Sequence, residues 1–385
     1  MNQKYFLDTI KDETLAKMID TTLRFEKNQK AKQSKIYLFK IIPAVAVILL
    51  VIGFVNIVSY APKFEIGNNS NKPEGNLYID MPDKSDLQQS ECYTFLIIGR
   101  DNAGLNTDTI MFINFNIKEN KMAIMNIPRD TYIKTESYTG KINGVLAHGY
   151  MEAYREKKDH SESLGEGICY LEKMIEYTFG VPVNRHIMVD LKGFKDLVDQ
   201  IGGIDMEVPQ DMKYSDPHQN LYIDLKHGWQ HLDGDKAEQL VRFRSGYEDA
   251  DIGRIKTQQK FIAALAKKLF AFDLNNIKSL FEFGSDYMTT NLNGADFAWF
   301  AAKMLTLQFE DIRVHTVPGQ GQWIGNLATY EIYKKEIIEI INKYYNPFEQ
   351  NIPETDFNIY DKDIANYNSD NINIDGIILG NLIEE

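Results

Sequence analysis

The feature that most constrains this chain is an uncharged apolar run, Ile41–Tyr60, with the sequence IIPAVAVILLVIGFVNIVSY. It has about the 20 residues that a helix needs to cross ~30 Å of hydrocarbon. A cleaved signal peptide would have a shorter apolar stretch nearer the N-terminus and small residues at a cleavage site, whereas a long leader precedes this run. The sequence therefore predicts a transmembrane helix at 37–60.

The charges on either side of the run predict its orientation. Lys63 is the only base close behind it, whereas the segment in front carries Arg24, Lys27, Lys30, Lys32, Lys35 and Lys40 against the single acid Glu26. Because cytoplasmic flanks carry the excess of Lys and Arg, we expect residues 1–36 to be cytoplasmic and the remainder to be extracellular, in a single-pass protein of the cell membrane.

The extracellular part is strongly acidic. Residues 1–60 contain nine Lys and Arg residues and five Asp and Glu residues, which give them a charge of +4. Because the net charge of the whole chain is −13, the remaining residues carry a charge of −17. Phosphate-backbone binding needs a broad positive surface, so we expect no nucleic acid partner.

Short apolar strands alternate with helical periodicity in the extracellular part. The predicted strands are 93–98, 108–117, 122–127, 186–189, 204–208 and 312–317, and the predicted helices are 165–179, 191–201, 258–270 and 331–345. This alternation indicates an α/β domain at 91–347, with a central mixed β-sheet flanked by helices.

Two segments flank this domain. Residues 61–90 are rich in Asn, Pro and Gly and read as an extracellular linker. Residues 348–385 contain nine acids against the single base Lys362, together with many Asn residues, and predict an acidic, disordered tail. The cysteines, Cys92 and Cys169, are compatible with one disulfide or with two separate thiols.

Two carboxylates fall between the first two predicted strands. Asp101 follows the first strand and Asp108 begins the second, so adjacent strand ends bring them close together. Hard oxygen ligands of this kind suit Mg²⁺, which takes one or two carboxylates and completes its shell with water and phosphate oxygens. The alternative is ordinary turn chemistry, since Asp and Asn are common in turns.

Basic residues gather at three later positions. Arg129 leaves a strand at the sheet edge where α/β proteins bind ligands, and Lys141 could add a second charge. The stretch 241–259, VRFRSGYEDADIGRIKTQQ, contains three arginines: Arg242, Arg244 and Arg254. Arginine presents a planar fork that matches phosphate oxygens, so an anionic ligand is predicted; the alternative is a set of surface ion pairs.

Asp251 is the candidate general base in this stretch. It stands near the start of a predicted helix with Arg254 one turn further on, and a phosphate beside a helix N-terminus gains from free backbone N–H groups. A carboxylate in this place could remove the proton of an attacking hydroxyl. No GK[ST] phosphate loop and no nucleophile-elbow serine is present, which argues against NTPases and serine hydrolases.

These motifs, in this order, resemble the LytR-CpsA-Psr family of cell-envelope proteins. The matching pieces are FLIIGRD (95–101), TDTIMF (107–112), IPRDTYI (127–133), KINGVLAHG (141–149), VDLKGFKDLVDQIGGIDMEVP (189–209), LDGDKAEQLVRFR (232–244) and DIGRIKTQQ (251–259). A single N-terminal span with an exterior domain is also the layout of that family.

The resemblance implies a phosphotransferase that moves an anionic glycopolymer, such as teichoic acid or capsule, from a polyprenyl-pyrophosphate carrier to a peptidoglycan sugar hydroxyl. It implies Mg²⁺ as cofactor, with Mn²⁺ as a substitute, held by Asp101 and Asp108. Asp251 would be the catalytic base and Arg129 would act in both catalysis and binding. The implied pyrophosphate ligands are Arg129, Lys141, Arg242, Arg244, Arg254 and Gln258.

The sequence departs from the family pattern at three positions. Asn106 and Thr257 replace arginines, and Ala250 replaces the glycine before the candidate base. The missing charges leave open a different donor head group, a compensating arginine such as Arg100, or lower activity. Two other functions are therefore weighed: a non-catalytic envelope scaffold or signalling protein that binds polyprenyl-linked lipid or glycan, and a polyprenyl-pyrophosphate phosphatase.

Overall fold

The fold is known from a computed structural model that describes residues 91–100, 105–217, 221–243, 246–247, 251–270, 287–304, 306–360 and 372–384. The predicted cytoplasmic segment 1–36, transmembrane helix 37–60 and linker 61–90 lie outside these residues. Across the ranges described, no helix combines the length and the apolar character that a membrane span requires.

A seven-stranded mixed β-sheet forms the centre of the domain, as the sequence predicts. The strands in the described ranges are β1 Cys92–Arg100, β2 Thr107–Asn116, β3 Lys121–Asn126, β4 Tyr132–Lys134, β5 Thr139–Lys141, β6 Arg185–Asp190, β7 Ile204–Val208, β8 Met212–Asp216, β9 Leu221–Leu225, β10 Gly228–Leu232, β11 Met288–Thr290, β12 Ile312–Thr316, β13 Gly319–Ile324, β14 Leu327–Ile332 and β15 Ile377–Ile378. The order in the central sheet is β11-β6-β1-β2-β3-β12-β15. β6 is parallel to β1 and β12 is parallel to β3, whereas the other neighbours are antiparallel.

Helices cover the sheet and connect its strands. They are α1 Val145–Arg155, α2 His160–Phe179, α3 Leu191–Gln200, α4 Gly234–Arg242, α5 Asp251–Phe270, α6 Gly294–Met304, α7 Lys334–Ile340 and α8 Asn381–Glu384, with a π-helical turn at Ile341–Tyr345 and 3₁₀ turns at Ile142–Gly144, Phe309–Asp311 and Glu354–Asp356. Asp159 ends the preceding loop and accepts a hydrogen bond from the backbone N–H of Glu162, so α2 begins five residues before its predicted start.

Two hydrophobic cores lie on opposite faces of the sheet. In β1, Leu96 and Ile98 belong to the core that includes α1, α2 and α7, whereas Phe95 and Ile97 belong to the core that includes α6. Successive side chains of a strand point to opposite faces, so an unbroken apolar run is what a sheet covered on both sides requires.

A smaller unit with its own core stands beside the sheet. β7 pairs with β10, β8 pairs with β9, and their buried residues pack with those of α3, α4 and α5. The strand predicted at 204–208 is therefore present, but it lies outside the central sheet. Its alternating burial, with Asp205 and Glu207 exposed, fits a strand that is covered on one face only.

The C-terminal segment differs from the prediction of a disordered tail at 348–385. Phe348, Ile352, Phe357 and Ile359 are buried in the main core, and β15 pairs with β12 at the sheet edge. The prediction was based on the many Asn and acidic residues of the segment. The apolar residues that the core buries are spaced widely among them and form no helical or strand pattern. Residues 361–371 of the segment lie outside the described ranges.

The two cysteines are separate thiols in this fold, not joined by a disulfide. Cys92 is buried at the start of β1, and Cys169 is partly buried in α2. Of the two possibilities that the sequence left open, the structure shows the separate thiols. Burial raises the pKa of the Cys169 thiol, so it is not an activated nucleophile.

Candidate functional site

Four strand ends meet at one edge of the central sheet. Arg100 at the end of β1 lies opposite Asp190 at the end of β6, and Asn126 at the end of β3 lies opposite Thr316 at the end of β12. Parallel strands bring their carboxyl ends to the same edge, which is where ligands bind in open α/β sheets. The start of the antiparallel β2 joins them, since Thr107 pairs with Arg100.

A β-bulge sets the position of Asp108. Gly99 pairs with Thr109 and Arg100 pairs with Thr107, so Asp108 is the extra residue between them. A Cβ atom on Gly99 would lie 3.0 Å from the Cβ of Thr109, and glycine is what allows the strands to approach so closely here. Bulges re-aim side chains and are common beside active sites, so this one directs the Asp108 carboxylate away from the regular strand pattern.

Arg129 forms an ion pair with this carboxylate. The backbone N–H of Ile127 donates to the carbonyl of Ile110, which continues the β2–β3 pairing for one more residue and brings Arg129 to Asp108. The two side chains are 25% and 36% exposed, so a ligand from solvent can reach both. The Nε–H of Arg129 is buried and has no hydrogen-bond partner among the described residues.

Lys141 pairs with Asp130, the residue that follows Arg129 in the chain. Its ammonium group lies 2.8 Å from the Asp130 carboxylate, and the Asn143 N–H donates to the Arg129 carbonyl at 3.1 Å. The Tyr138 hydroxyl donates to the Lys141 carbonyl at 2.5 Å. Burial, with a smaller contribution from Tyr170, raises the pKa of Tyr138 to about 12, so this hydroxyl remains a neutral donor at physiological pH.

The remaining predicted site residues lie at the junction of α4 and α5. Arg242 ends α4 and donates to Glu238, four residues earlier, at 2.8 Å. Gln258 uses its amide to donate to the Val241 carbonyl at 2.9 Å, which ties α5 to the end of α4. Asp251 is the first residue of α5 and Arg254 follows in its first turn, as the sequence predicts, although nothing is described of their side chains.

The structure thus describes two groups among the predicted residues. Arg129 pairs with Asp108 at the sheet edge and Lys141 pairs with the neighbouring Asp130, whereas Arg242 and Gln258 both lie at the α4–α5 junction, where Gln258 donates to the carbonyl of Val241. Asp101 and Arg244 lie outside the described residues. Thr257, at one of the positions without the family arginine, is buried and donates to the Gly253 carbonyl at 2.9 Å.

Sequence reasoning missed the carboxylate partners of the basic residues. Asp130 follows Arg129 in the chain, and only the folding back of β5 brings Lys141 to it. The Glu238–Arg242 pair did have a signal, because residues four apart share one face of a helix.

Asp108 fits a divalent cation only as one ligand among several. It is a partly exposed hard oxygen donor, but one of its oxygens accepts from Arg129. No cluster of three or more His, Cys, Asp or Glu suited to a metal is found within the described ranges. Mg²⁺ often keeps several waters and takes one or two carboxylates plus phosphate oxygens, so Asp108 could supply one of its ligands and the others would have to come from elsewhere.

Sequence comparisons match the α/β domain to a protein family and to known proteins. The model of the LytR_cpsA_psr family matches residues 55–346. An uncharacterised protein of Staphylococcus aureus is 26% identical over 249 residues, which cover 64% of this chain and 56% of that protein. The polyisoprenyl-teichoic acid–peptidoglycan teichoic acid transferase TagU of Bacillus mycoides is 30% identical over 191 residues, which cover 48% of this chain and 55% of TagU. The chain therefore spans little more than half the length of these relatives.

A solved structure shares the fold. A protein of Streptococcus agalactiae superposes with a TM-score of 0.55 at 18% identity, covering 68% of this chain and 90% of that protein. At this identity the likeness concerns the fold alone: a mixed central sheet flanked by helices.

Proposed function

The chain belongs to the LytR-CpsA-Psr family, and we propose that it is a membrane-anchored phosphotransferase that moves an anionic glycopolymer from a polyprenyl-pyrophosphate carrier to a peptidoglycan sugar hydroxyl. Teichoic acid and capsule are the candidate polymers. The observation that carries the proposal is the partly exposed Arg129–Asp108 pair at the ligand-binding edge of the sheet, with Lys141 bound to the adjacent Asp130. The name of the TagU relative agrees with this chemistry.

Arg129 is placed to hold the pyrophosphate of the donor. Its ion pair with Asp108 is partly exposed, and such pairs are worth only about 0–1 kcal/mol, so phosphate oxygens can replace or extend it at little cost. The buried Nε–H would gain a partner at the same time. Bidentate pairing with phosphate is stronger than the pairing of a point charge, which gives Arg129 the larger role and Lys141 an auxiliary one.

The start of α5 supplies the second half of the proposed site. Asp251 and Arg254 are three residues apart, and Gln258 is four residues beyond Arg254, so all three lie on one face of the helix. The free N–H groups of the first turn and the Arg254 charge favour phosphate near this end. The Gln258 amide donates to the carbonyl of Val241, the residue before Arg242 at the end of α4. We therefore propose that Gln258 holds the end of α4, and with it Arg242, against α5.

The reaction itself is a displacement at phosphorus. The acceptor hydroxyl oxygen bonds to the phosphorus that carries the sugar, the bond to the bridging oxygen breaks, and polyprenyl monophosphate leaves. Asp251 takes the hydroxyl proton, and Arg129 with Lys141 neutralises the charge that develops on the leaving phosphate. A bound Mg²⁺ at Asp108, with Asp101, would supply further charge neutralisation at the phosphate oxygens.

The test is turnover by the full-length protein in detergent. The substrates are a synthetic polyprenyl-pyrophosphoryl disaccharide, Mg²⁺ and peptidoglycan oligomers, and the products are polyprenyl monophosphate and acceptor-linked sugar phosphate. We expect Asp251→Asn and Arg129→Ala each to lower turnover by about 100-fold or more, the usual effect of losing a catalytic base or a charge-stabilising donor.

The control is Arg155→Ala, because Arg155 is an exposed arginine of α1 whose ion-pair partner among the described residues is Glu152 of the same helix. It should keep full turnover. Release of polyprenyl monophosphate and free sugar phosphate without acceptor transfer would support a phosphatase. Lipid binding without turnover would leave a scaffold, and either result would contradict the transferase.

A further inference from the structure

The β13–β14 hairpin carries an exposed aromatic side chain next to the candidate site. Trp323 is 71% exposed, although tryptophan is usually largely buried. The hairpin turns at Gly325, whose φ of +61° is the left-handed value that favours glycine at this loop position. Tryptophan combines an apolar ring with an N–H donor and is enriched at binding interfaces.

Backbone contacts connect this hairpin to the site. The N–H of Tyr330 donates to the Asp130 carbonyl at 2.8 Å, and Tyr330 forms a parallel bridge with Thr131. The Tyr330 hydroxyl donates to the Val317 carbonyl at 2.8 Å, which ties the hairpin to the end of β12. A ligand on the hairpin therefore lies on a surface continuous with the loop that carries Arg129.

One face of the hairpin forms a flat strip. Trp323 pairs with Ala328 and Gly321 pairs with Tyr330, and paired residues of an antiparallel ladder share a face. A Cβ atom on Gly321 would meet no atom of the described residues within 4 Å. Bare backbone therefore separates the Tyr330 ring from the Trp323 indole, and nothing bulky in the strip competes for the indole face.

The charge of the hairpin indicates the chemistry of its ligand. Residues 317–330 contain no Asp, Glu, Lys or Arg, but they include Gln320, Gln322 and Asn326. An anionic membrane surface or an anionic polymer would favour Lys and Arg here. An uncharged aromatic platform, with Asn326 at the turn of the hairpin, instead suits a sugar, whose apolar ring face can stack while its hydroxyls form hydrogen bonds; Gln320 and Gln322 lie on the opposite face of the hairpin.

We propose that the Trp323 strip, defined as Gly321, Trp323, Ala328 and Tyr330, binds the glycan strand of the acceptor and holds its hydroxyl at the Arg129 site. This inference rests on the proposed transferase function for the identity of the glycan. Binding of the sugar strand itself needs no turnover and can be measured separately.

The experiment measures binding of a peptidoglycan tetrasaccharide to the full-length protein in detergent by calorimetry, followed by transfer kinetics with varied acceptor. We expect Trp323→Ala to raise the acceptor Kd and KM about tenfold, with the donor KM unchanged, and Trp323→Phe to restore most of the loss. Trp229→Ala is the matched control, because Trp229 is 75% exposed on β10 and should leave both constants unchanged.

A second variant keeps the inference testable if Trp323→Ala folds poorly. Gly321→Val adds a side chain where the folded protein has open space, so it should fold normally and still raise the acceptor Kd. Unchanged acceptor binding in both strip variants would overturn the inference, and so would loss of binding to phosphatidylglycerol vesicles with the glycan Kd unchanged. Glycan binding that depends on Trp323, without transfer, would uphold the strip and contradict the transferase.

Discussion

At the scale of single residues, the candidate site depends on Arg129. Its guanidinium group pairs with Asp108, and we propose that it also binds the phosphate of the donor. Both side chains are partly exposed, so their pair contributes little to folding, and the role that we propose for it is in ligand binding. The same holds for Lys141 and Asp130. Substitution of these carboxylates should therefore affect catalysis without affecting the free energy of unfolding.

Asp108→Asn tests whether Asp108 is a Mg²⁺ ligand in addition to being the ion-pair partner of Arg129. If Asp108 is a Mg²⁺ ligand, the amide should raise the Mg²⁺ concentration for half-maximal turnover about tenfold or more, because a neutral oxygen binds a hard cation less well. The measurement is a Mg²⁺ titration of turnover, with the melting temperature followed in parallel. Asp130→Asn is the control, since it removes a neighbouring carboxylate that pairs with Lys141; an equal shift in both variants would contradict a metal role for Asp108.

The sequence predicted the residue types of this site but only part of its geometry. Strand ends can be read from hydrophobic patterns, which is why Arg129 and Asp108 were expected at one edge. The bulge at Asp108 has no pattern of its own, because it depends on the register between β1 and β2. The Asp130–Lys141 contact depends in the same way on the β4–β5 pairing.

At the scale of elements, the C-terminal segment completes the domain. Strand β12 would have an open edge without β15, and an open strand edge invites pairing with other chains. Residues 348–360 add apolar side chains to the core formed with α2 and α7. The segment predicted as a disordered tail is thus, where described, part of the folded unit.

Phe357→Ala tests this packing. Phe357 is 3% exposed, and truncation of a buried Phe costs about 3–5 kcal/mol, so we expect a loss of that order in the free energy of unfolding by urea. Glu354→Ala, at an exposed position of the neighbouring 3₁₀ turn, should change it by less than about 0.5 kcal/mol. A disordered tail would show no difference between the two variants.

At the scale of the whole molecule, His315 lies where the sheet, the helical layer and the C-terminal segment meet. It is buried in β12, and its Nδ1 lies 2.9 Å from the Tyr345 hydroxyl. A Cβ atom on Gly376 would lie 2.6 Å from its Nε2, so the C-terminal segment packs directly on the ring. Burial lowers the pKa of His315 to about 4; the charged or titratable groups around it are Arg313, Lys343, Tyr344, Tyr345 and Asp375.

This pKa predicts a loss of stability in mild acid. The unfolded chain binds a proton near pH 6.5 and the folded chain only near pH 4, so the free energy of unfolding should decrease as pH falls through this window and should not change with this group above it. The full effect is about 3 kcal/mol. Urea denaturation of His315→Asn should show a smaller slope between pH 6.5 and 4, whereas the exposed His227→Gln control should keep the wild-type slope. Equal slopes for His315→Asn and wild type would contradict the assignment.

Local pattern in the sequence was enough to determine six strands, five of them in the central sheet, four of the helices and the residues that identify the family. Period-2 and period-3.6 patterns act over a few residues, and six predicted strands lie within two residues of their predicted ends. The tertiary structure alone decided three things: the bulge that aims Asp108, the partner of Lys141, and the folding of the C-terminal segment onto β12. Each depends on contacts between residues far apart in the chain, and such contacts are set by strand register and by which apolar surface remains uncovered, neither of which local periodicity encodes.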